Sequence, residues 1–245
     1  MVRLPQQQRE QRILDVAVEL FLRHGYDKTT IAEIARAAGI GKGSVYLHFR
    51  NKEELLDMLF LRELHAYSEA WFAAVMAAPQ GGTLGGMYKA MIQALDGSRF
   101  ITAVLRRDGT VLGAHLMRRP DSILQASARG QMTRHEVIAL MQQAGAVRDD
   151  IDAKVIAHMI DMLAQGMVQL EMSPSDGPGE AVTGKTSLGP VIEGIGEIMD
   201  RALTPAHAGA SEAGKAVLQQ VFEAGRQSLQ ALLAERSRRQ REDTR

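Results

Sequence analysis

Residues 25–56 read GYDKTTIAEIARAAGIGKGSVYLHFRNKEELL, and this stretch decides how the chain folds. Thr30 followed three residues later by Glu33 forms a capping box, a sequence pattern that starts helices. Gly39 can take the left-handed backbone conformation that ends a helix. A second short helix is expected over about 41–48. Two helices joined by a glycine turn are the layout of a helix-turn-helix that enters the DNA major groove.

The second of these helices has an apolar side and a polar, basic side. Val45 and Phe49 are four residues apart and are expected to anchor it to the preceding helix. The outer face and its edges then carry small, hydroxyl-bearing or basic residues, which suit close approach to DNA and contact with phosphate oxygens. These residues are Lys42, Gly43, Ser44, Tyr46 and His48. Lys52, at the start of the next helix, also suits a phosphate.

The segment 13–60 resembles the DNA-binding domain of TetR-family transcriptional regulators. The similarity rests on four motifs, which are AVELFLRHGY at 17–26, TTIAEIA at 29–35, AGIGKGSVYLHF at 38–49 and NKEELL at 51–56. The resemblance implies an all-α homodimer with a three-helix head and a divergent ligand-binding body. Members of the family are mostly repressors that a small molecule releases from DNA. By motif position, the resemblance implies DNA contacts by Thr30, Lys42, Ser44, Tyr46, His48 and Lys52.

Each of these side chains also has a plainer interpretation. Thr30 would serve as a helix cap alone, and Lys42 and Lys52 would be solvated charges. Tyr46 would be packed, and His48 would stabilise the turn. Gly41 stands where the family often has Ser or Thr, which leaves one polar side chain fewer at the front of the reading helix.

Composition agrees with a basic head on an acidic body. The 245 residues carry 29 basic and 29 acidic side chains, so the formal charge balances. Residues 1–52 have nine Lys or Arg and five Asp or Glu, a net charge of +4 that the remainder must offset. This asymmetry favours a nucleic-acid partner for the N-terminal segment. The absence of cysteine removes disulfides, thiolate nucleophiles and Cys-ligated zinc, and we expect no enzyme activity.

The sequence shows neither the pattern of a signal peptide nor that of a membrane span. Residues 1–10 lack the apolar core of a signal peptide, and no run approaches 18 uninterrupted apolar residues. We therefore expect a cytoplasmic protein without a membrane span.

Helical periodicity and helix-favouring composition predict an all-α fold. The three-helix helix-turn-helix head is assigned to residues 1–52, a larger ligand-binding and dimerisation body to 53–205, and an extra C-terminal helix with a charged tail to 206–245. The segment 151–172 is apolar nearly all round and is expected to be buried. The predicted helices cover 6–24, 31–38, 41–48, 51–78, 84–96, 98–107, 121–143, 151–172, 188–203 and 211–238.

The body offers aromatic and methionine side chains that suit an apolar effector pocket. The candidate ligand-binding residues are Trp71, Phe72, Met91, Phe100, Met132, His158 and Met162. Ordinary core packing is the alternative for each of them. We expect no metal, because His115, His135 and the pair His158 and Asp161 lack a common ligand spacing. We expect no cofactor, because GEAVTGKT at 179–186 matches a phosphate-loop pattern without the preceding strand that such a loop needs.

Two functional hypotheses follow from these patterns. The first is a homodimeric repressor, paired through 151–172 and 188–203, that a small hydrophobic or amphipathic effector releases from an inverted-repeat operator. The second is a DNA binder that a protein partner controls through the C-terminal helix 211–238. A solid core without a cavity would favour the second hypothesis.

Overall fold

The computed structural model describes residues 6–106, 108–118, 132–170, 188–207 and 209–242, and no strand occurs within these ranges. The all-α prediction is confirmed. Helices α1 to α11 span, in chain order, Gln6–His24, Ile31–Ala38, Lys42–Tyr46, Lys52–Ala77, Leu84–Asp96, Arg99–Leu105, Gly109–Arg118, Arg134–Gln143, Ala153–Leu170, Leu188–Leu203 and Ala210–Glu242.

Several helix ends agree with the sequence and one helix was missed. Helices α1 and α5 have the predicted bounds. The pair Asp108-Gly109 is typical of a turn, yet Gly109 opens α7, because the Asp108 carboxylate accepts the Thr110 backbone N–H at 2.9 Å and caps the helix. Of the predicted helix over 121–143, residues 121–131 lie outside the described ranges. The phosphate-loop-like segment 179–186 also lies outside them.

The chain divides into two compact units. One unit comprises Met1–Glu69 and Leu95–Gln125, and the other comprises Ala70–Ala94 and Ala126–Arg245. Helix α4 therefore contributes residues to both units. The two compact units have other boundaries than the domain boundaries predicted after residues 52 and 205. The predicted boundaries separate functional domains and stay a prediction.

The first unit is built around one apolar core. On α1, Ile13, Ala17 and Phe21 are spaced by four residues, so they share one face, and each is fully buried. This face packs against α2, α6 and α7. Burial of a side chain such as Phe21 stabilises the unit by about 1.5–3 kcal/mol. Other members of this core are Leu14, Ile34, Val45, Phe49, Leu55, Leu56, Leu59, Phe100, Ile101 and Leu112.

The second unit contains helices that approach one another through glycine. The Gly85 backbone N–H donates to Asp200 of α10 at 2.9 Å, and a Cβ on Gly85 would lie 2.1 Å from the Gly196 carbonyl oxygen. The Arg148 backbone N–H donates to the Leu203 carbonyl at 2.9 Å, which satisfies an acceptor at the end of α10. Helix α8 packs against α9 and α11.

The burial predicted for 151–172 is wrong for one face of α9. Val155, Met159 and Met162 are 50%, 45% and 67% exposed in the single chain, whereas Ile156 and Ile160 are buried. Helical spacing separates the two sets, because residues three and four apart lie on the same face. In α10, Ile198 is 68% exposed as well. Apolarity all round the helix therefore marks two apolar faces, of which the protomer covers one.

No helix in the described part of the chain is long and apolar enough to cross a membrane.

Candidate nucleic-acid interface

The α2–turn–α3 segment has the geometry that its sequence predicts. The Thr30 hydroxyl oxygen accepts the Glu33 backbone N–H at 3.2 Å, and the Glu33 carboxylate accepts the Thr30 backbone N–H at 2.8 Å. The bond from the Thr30 backbone N–H, together with one from the Thr30 hydroxyl at 2.9 Å, lowers the pKa of the Glu33 carboxyl. At the other end of α2, Gly39 has φ 69° and the Ile40 N–H donates to the Ala35 carbonyl at 3.0 Å. The capping box and the left-handed glycine turn are therefore confirmed.

The inner side of α3 is fixed by apolar contacts. Val45 and Phe49 are 0% and 1% exposed and belong to the core of the first unit. Because these two residues point inward, the opposite side of the helix is presented to solvent. On that side Lys42, Gly43 and Tyr46 are exposed, and Ser44 is partly exposed.

The backbone at the start of α3 is open to an approaching partner. A Cβ built on Gly41 or on Gly43 would meet no atom within 4 Å. The protein's own packing therefore does not require glycine at either position. Gly41 has φ −70° and Gly43 lies within the helix α3. Other amino acids adopt both backbone conformations freely. Because these two residues have no side chain, the backbone of α3 can come close to another molecule, as contact with DNA requires.

One exposed residue of this surface was missed by the sequence reasoning. Leu47 is 74% exposed and follows Tyr46, which is 46% exposed. The sequence contained the information, because Leu47 lies two positions from Val45 and two from Phe49. Residues two apart point to roughly opposite sides of a helix. An apolar side chain at this place suits contact with a thymine methyl group in the major groove.

His48 does not lie on the outer face. It is 4% exposed, and its Nδ1 lies 3.7 Å from a carboxylate oxygen of Glu10 on α1. Its ring also lies 6.3 Å, centroid to centroid, from that of Phe49. This placement favours the alternative role, in which His48 supports the end of α3.

Lys52 is engaged within the protein. Its Nζ donates to the carbonyl oxygens of Tyr26 at 2.9 Å and Thr29 at 3.0 Å. It also lies 4.1 Å from the centroid of the Tyr26 ring. Nearby, the Asn51 side-chain oxygen accepts the Glu54 backbone N–H at 2.7 Å, which caps α4.

Thr30 is exposed and caps α2. Its contribution to the free energy of unfolding can therefore be measured by substitution. We expect Thr30→Ala to lower the free energy of unfolding by about 1 kcal/mol, because the Glu33 N–H loses its acceptor. Thr30→Ser keeps a hydroxyl and should stay close to the wild type. Thermal unfolding followed by circular dichroism compares the three proteins. Equal stability of the Ala variant would contradict a capping role.

The predicted ligand-binding residues are not all brought together. Trp71, Phe72 and Met91 are partly buried in the second unit, and the Trp71 Nε1–H donates to the Met87 carbonyl at 3.1 Å. Phe100 belongs to the core of the first unit. The remaining three predicted residues, Met132, His158 and Met162, are exposed.

The second unit also contains a buried hydroxyl group that the sequence did not indicate. Tyr88 of α5 is 2% exposed, and its hydroxyl has no hydrogen-bond partner among the described residues. Burial raises the pKa of this phenol. Tyrosine in an apolar helix carries no sequence signal that separates a packed hydroxyl from one that awaits a ligand.

Comparison with known proteins agrees with the geometry of the head. The family model "Bacterial regulatory proteins, tetR family" matches residues 13–59. A transcriptional repressor of the helix-turn-helix type from Mycobacterium tuberculosis is 27% identical over 171 residues, which cover 69% of this chain and 84% of that protein. Residues 13–59 therefore carry the N-terminal domain of the TetR family.

A second relative is also named as a repressor. A protein of Escherichia coli K12 named "Probable acrEF/envCD operon repressor" is 27% identical over 166 residues, covering 65% of this chain and 74% of that one. The matched family and these relatives regulate transcription and are not enzymes. The predicted class, a DNA-binding transcriptional regulator, is therefore confirmed.

Solved structures show the same fold at low identity. A TetR-family regulator from Mesorhizobium loti is 19% identical with a TM-score of 0.57, covering 83% of this chain and 100% of that one. FadR from Bacillus subtilis, solved in complex with stearoyl-CoA, is 20% identical with a TM-score of 0.54. The match covers 77% of this chain and 96% of that one.

Proposed function

We propose that this TetR-family regulator is a homodimeric repressor that inserts α3 into the major groove at each half of an inverted-repeat operator. The observation that carries the proposal is the outer side of α3, where Lys42, Tyr46 and Leu47 are exposed beside the unobstructed Gly41 and Gly43. Lysine and tyrosine supply phosphate contacts, and the apolar and hydroxyl groups supply base readout.

Dimerisation is supported by the uncovered apolar face of the body. Val155, Met159 and Met162 form a row along α9, and Ile198 is exposed on α10. Gly194 of α10 has no atom within 4 Å of a built Cβ, so a second helix could approach closely there. Exposed apolar rows of this kind mark interfaces. We propose that the same face of a second copy covers it, as a two-fold axis requires.

The proposed effector is a small hydrophobic or amphipathic molecule bound in the body. Trp71, Phe72 and Met91 offer partly buried apolar surface, and the Tyr88 hydroxyl offers a buried polar group. A ligand with an apolar part and one hydrogen-bonding group would fit this chemistry. FadR from Bacillus subtilis was solved with stearoyl-CoA. Long-chain acyl-CoA is therefore the first effector to test.

Control by a protein partner through α11 is the alternative, and packing of that helix speaks against it. Val217 and Leu218 are buried, and Gly214 lies against Gly82 so closely that a Cβ would fall 1.9 Å from the Gly82 carbonyl oxygen. Phe222 stacks on Phe72 with ring centroids 4.2 Å apart. The first three turns of α11 are thus part of the body.

Selection of bound sequences from a random duplex pool, at two salt concentrations, tests the proposal. We expect an inverted repeat with half-sites about one helical turn apart, and weaker binding at the higher salt concentration. Stearoyl-CoA added to the selected duplex should lower its affinity for the protein, since an effector acts only through different affinity for two states. Recovery of no motif, or of a motif without two-fold symmetry, would refute the symmetric operator.

A further inference from the structure

The loop between α1 and α2 is tied to the start of α4 by one ammonium group. Two of the three Lys52 N–H groups donate to the Tyr26 and Thr29 carbonyls, and the Tyr26 ring, 4.1 Å away, covers a further side. The Thr29 carbonyl belongs to the residue directly before Thr30, the cap of α2. The position of Lys52 therefore fixes where α2 begins.

The same loop is also held by α7. The Tyr26 N–H donates to the Val111 carbonyl at 3.0 Å. Gly25, at φ 83°, lies so close that a Cβ would fall 2.2 Å from the Thr110 carbonyl oxygen. Gly113 interrupts α7 with φ 68° and ψ 171°, and a Cβ there would lie 2.7 Å from the Asp27 carboxylate. Release of Lys52 would therefore remove the attachment of the loop to α4 and leave its attachment to α7.

Lys42 has different surroundings from those of Lys52. Its side chain is exposed, and its Nζ lies 5.9 Å from the centroid of the Tyr46 ring on the outer side of α3. A phosphate can reach this ammonium without breaking a hydrogen bond to a carbonyl. At Lys52, by contrast, two of the three N–H groups already donate to carbonyls and the Tyr26 ring lies on a further side, so the ammonium has little hydrogen-bonding capacity left for a phosphate.

We propose that Lys52 is a positioning residue of the DNA-reading head and not one of its phosphate contacts. The ammonium holds loop 25–29 against α4, which sets the start of α2 and, through the Gly39 turn, the placement of α3. Lys52 then governs DNA affinity through geometry, whereas Lys42 contributes charge. The inference rests on the proposed function only in that α3 is taken as the element that enters the groove.

Two measurements on Lys52→Met, Lys42→Met and the wild type test the proposal. The first is hydrogen exchange of the peptide that spans residues 25–31, in the absence of DNA. The Thr29 N–H donates to the Gly25 and Tyr26 carbonyls, both at 3.2 Å, and reports on the order of the loop. We expect exchange to be roughly tenfold faster in Lys52→Met and unchanged in Lys42→Met, since charged hydrogen bonds are among the stronger ones.

The second measurement is the salt dependence of binding to a duplex selected with the wild type. Loss of one phosphate contact lowers the slope of log K against log salt by about 0.9 per subunit. We expect that decrease in Lys42→Met. In Lys52→Met we expect roughly tenfold weaker binding with the wild-type slope, at a temperature well below the unfolding transition of both proteins.

Three results would overturn the proposal. A lower slope in Lys52→Met, with loop exchange unchanged, would make Lys52 a phosphate contact. Unchanged affinity together with unchanged exchange would make it dispensable, and faster exchange with unchanged affinity would make it structural only. If Lys52→Met does not fold, Lys52→Arg serves instead, because it keeps the charge for a phosphate but places a longer, planar group between the carbonyls. Failure of the wild type to bind DNA would refute the proposed function, while the exchange result would still decide the role of Lys52.

Discussion

Met162→Glu should convert the protein to a monomer and lower its operator affinity by about 100-fold or more. Met162 is 67% exposed on the apolar row of α9, so in the free protomer the substitution costs little. In the proposed dimer it would bury a carboxylate without a partner. A single head then binds alone, and the avidity of two linked heads, typically 10²–10⁴-fold, is lost.

Sedimentation or light scattering gives the oligomeric state, and fluorescence anisotropy with the selected duplex gives the affinity. Met132→Glu is the matched control, because Met132 is 42% exposed and lies outside the row on α9 and α10. The control should remain dimeric and bind as the wild type does. A dimeric Met162→Glu protein with full affinity would remove this face from the interface and the dimer model with it.

Gly82→Ala should destabilise the second unit by about 3 kcal/mol, a large effect for one methyl group. The added Cβ would lie 1.7 Å from the Ser211 carbonyl oxygen and 2.8 Å from the Lys215 backbone nitrogen, both in the first turns of α11. These are backbone atoms, so no side-chain rotation relieves the overlap. The substitution must push α11 outward and break the bond from the Gly82 N–H to the Ser211 hydroxyl, which is 3.1 Å long.

Denaturant unfolding gives the free energy, and limited proteolysis within α11 shows whether the helix is released. Gly225→Ala provides the control inside the same helix, because a Cβ at Gly225 meets nothing within 4 Å. That variant should be more stable by about 0.5–1 kcal/mol, since alanine favours the helix. Wild-type stability of Gly82→Ala would show that α11 is loosely attached, and would return the partner-controlled alternative to consideration.

Local sequence signals were sufficient for the elements of the head. Thr30 and Glu33 mark the start of α2, Gly39 marks its end, and Asn51 caps α4. Each of these features depends on hydrogen bonds between residues at most five apart, so a short window contains all of the information. The inward direction of Val45 and Phe49 also follows from helical spacing alone. Family membership rests on this same segment, which the family model matches.

Contacts between distant parts of the chain could not be predicted in the same way. Lys52 has the motif position of a phosphate contact, but its partners, Tyr26 and Thr29, lie 26 and 23 residues earlier in the chain. His48 is buried beside Glu10 of α1, and Phe100 belongs to the core of the first unit, which was the alternative to its candidate role in a ligand pocket. Helix α7 was missed because the Asp-Gly pair that starts it also favours turns.

The sequence by itself determined an all-α chain, the helix-turn-helix with its caps, and the apolar character of α9, because periodicity and capping are encoded within single helices. The tertiary structure alone decided which lysine donates hydrogen bonds within the protein and which face of α9 stays exposed in the protomer. It also decided where only glycine avoids a clash with neighbouring backbone atoms. Those outcomes depend on which backbone atoms come within contact distance across tens of residues. Gly25 against Thr110 and Gly82 against Ser211 are such contacts, and no local pattern distinguishes these glycines from the unobstructed Gly41 and Gly43.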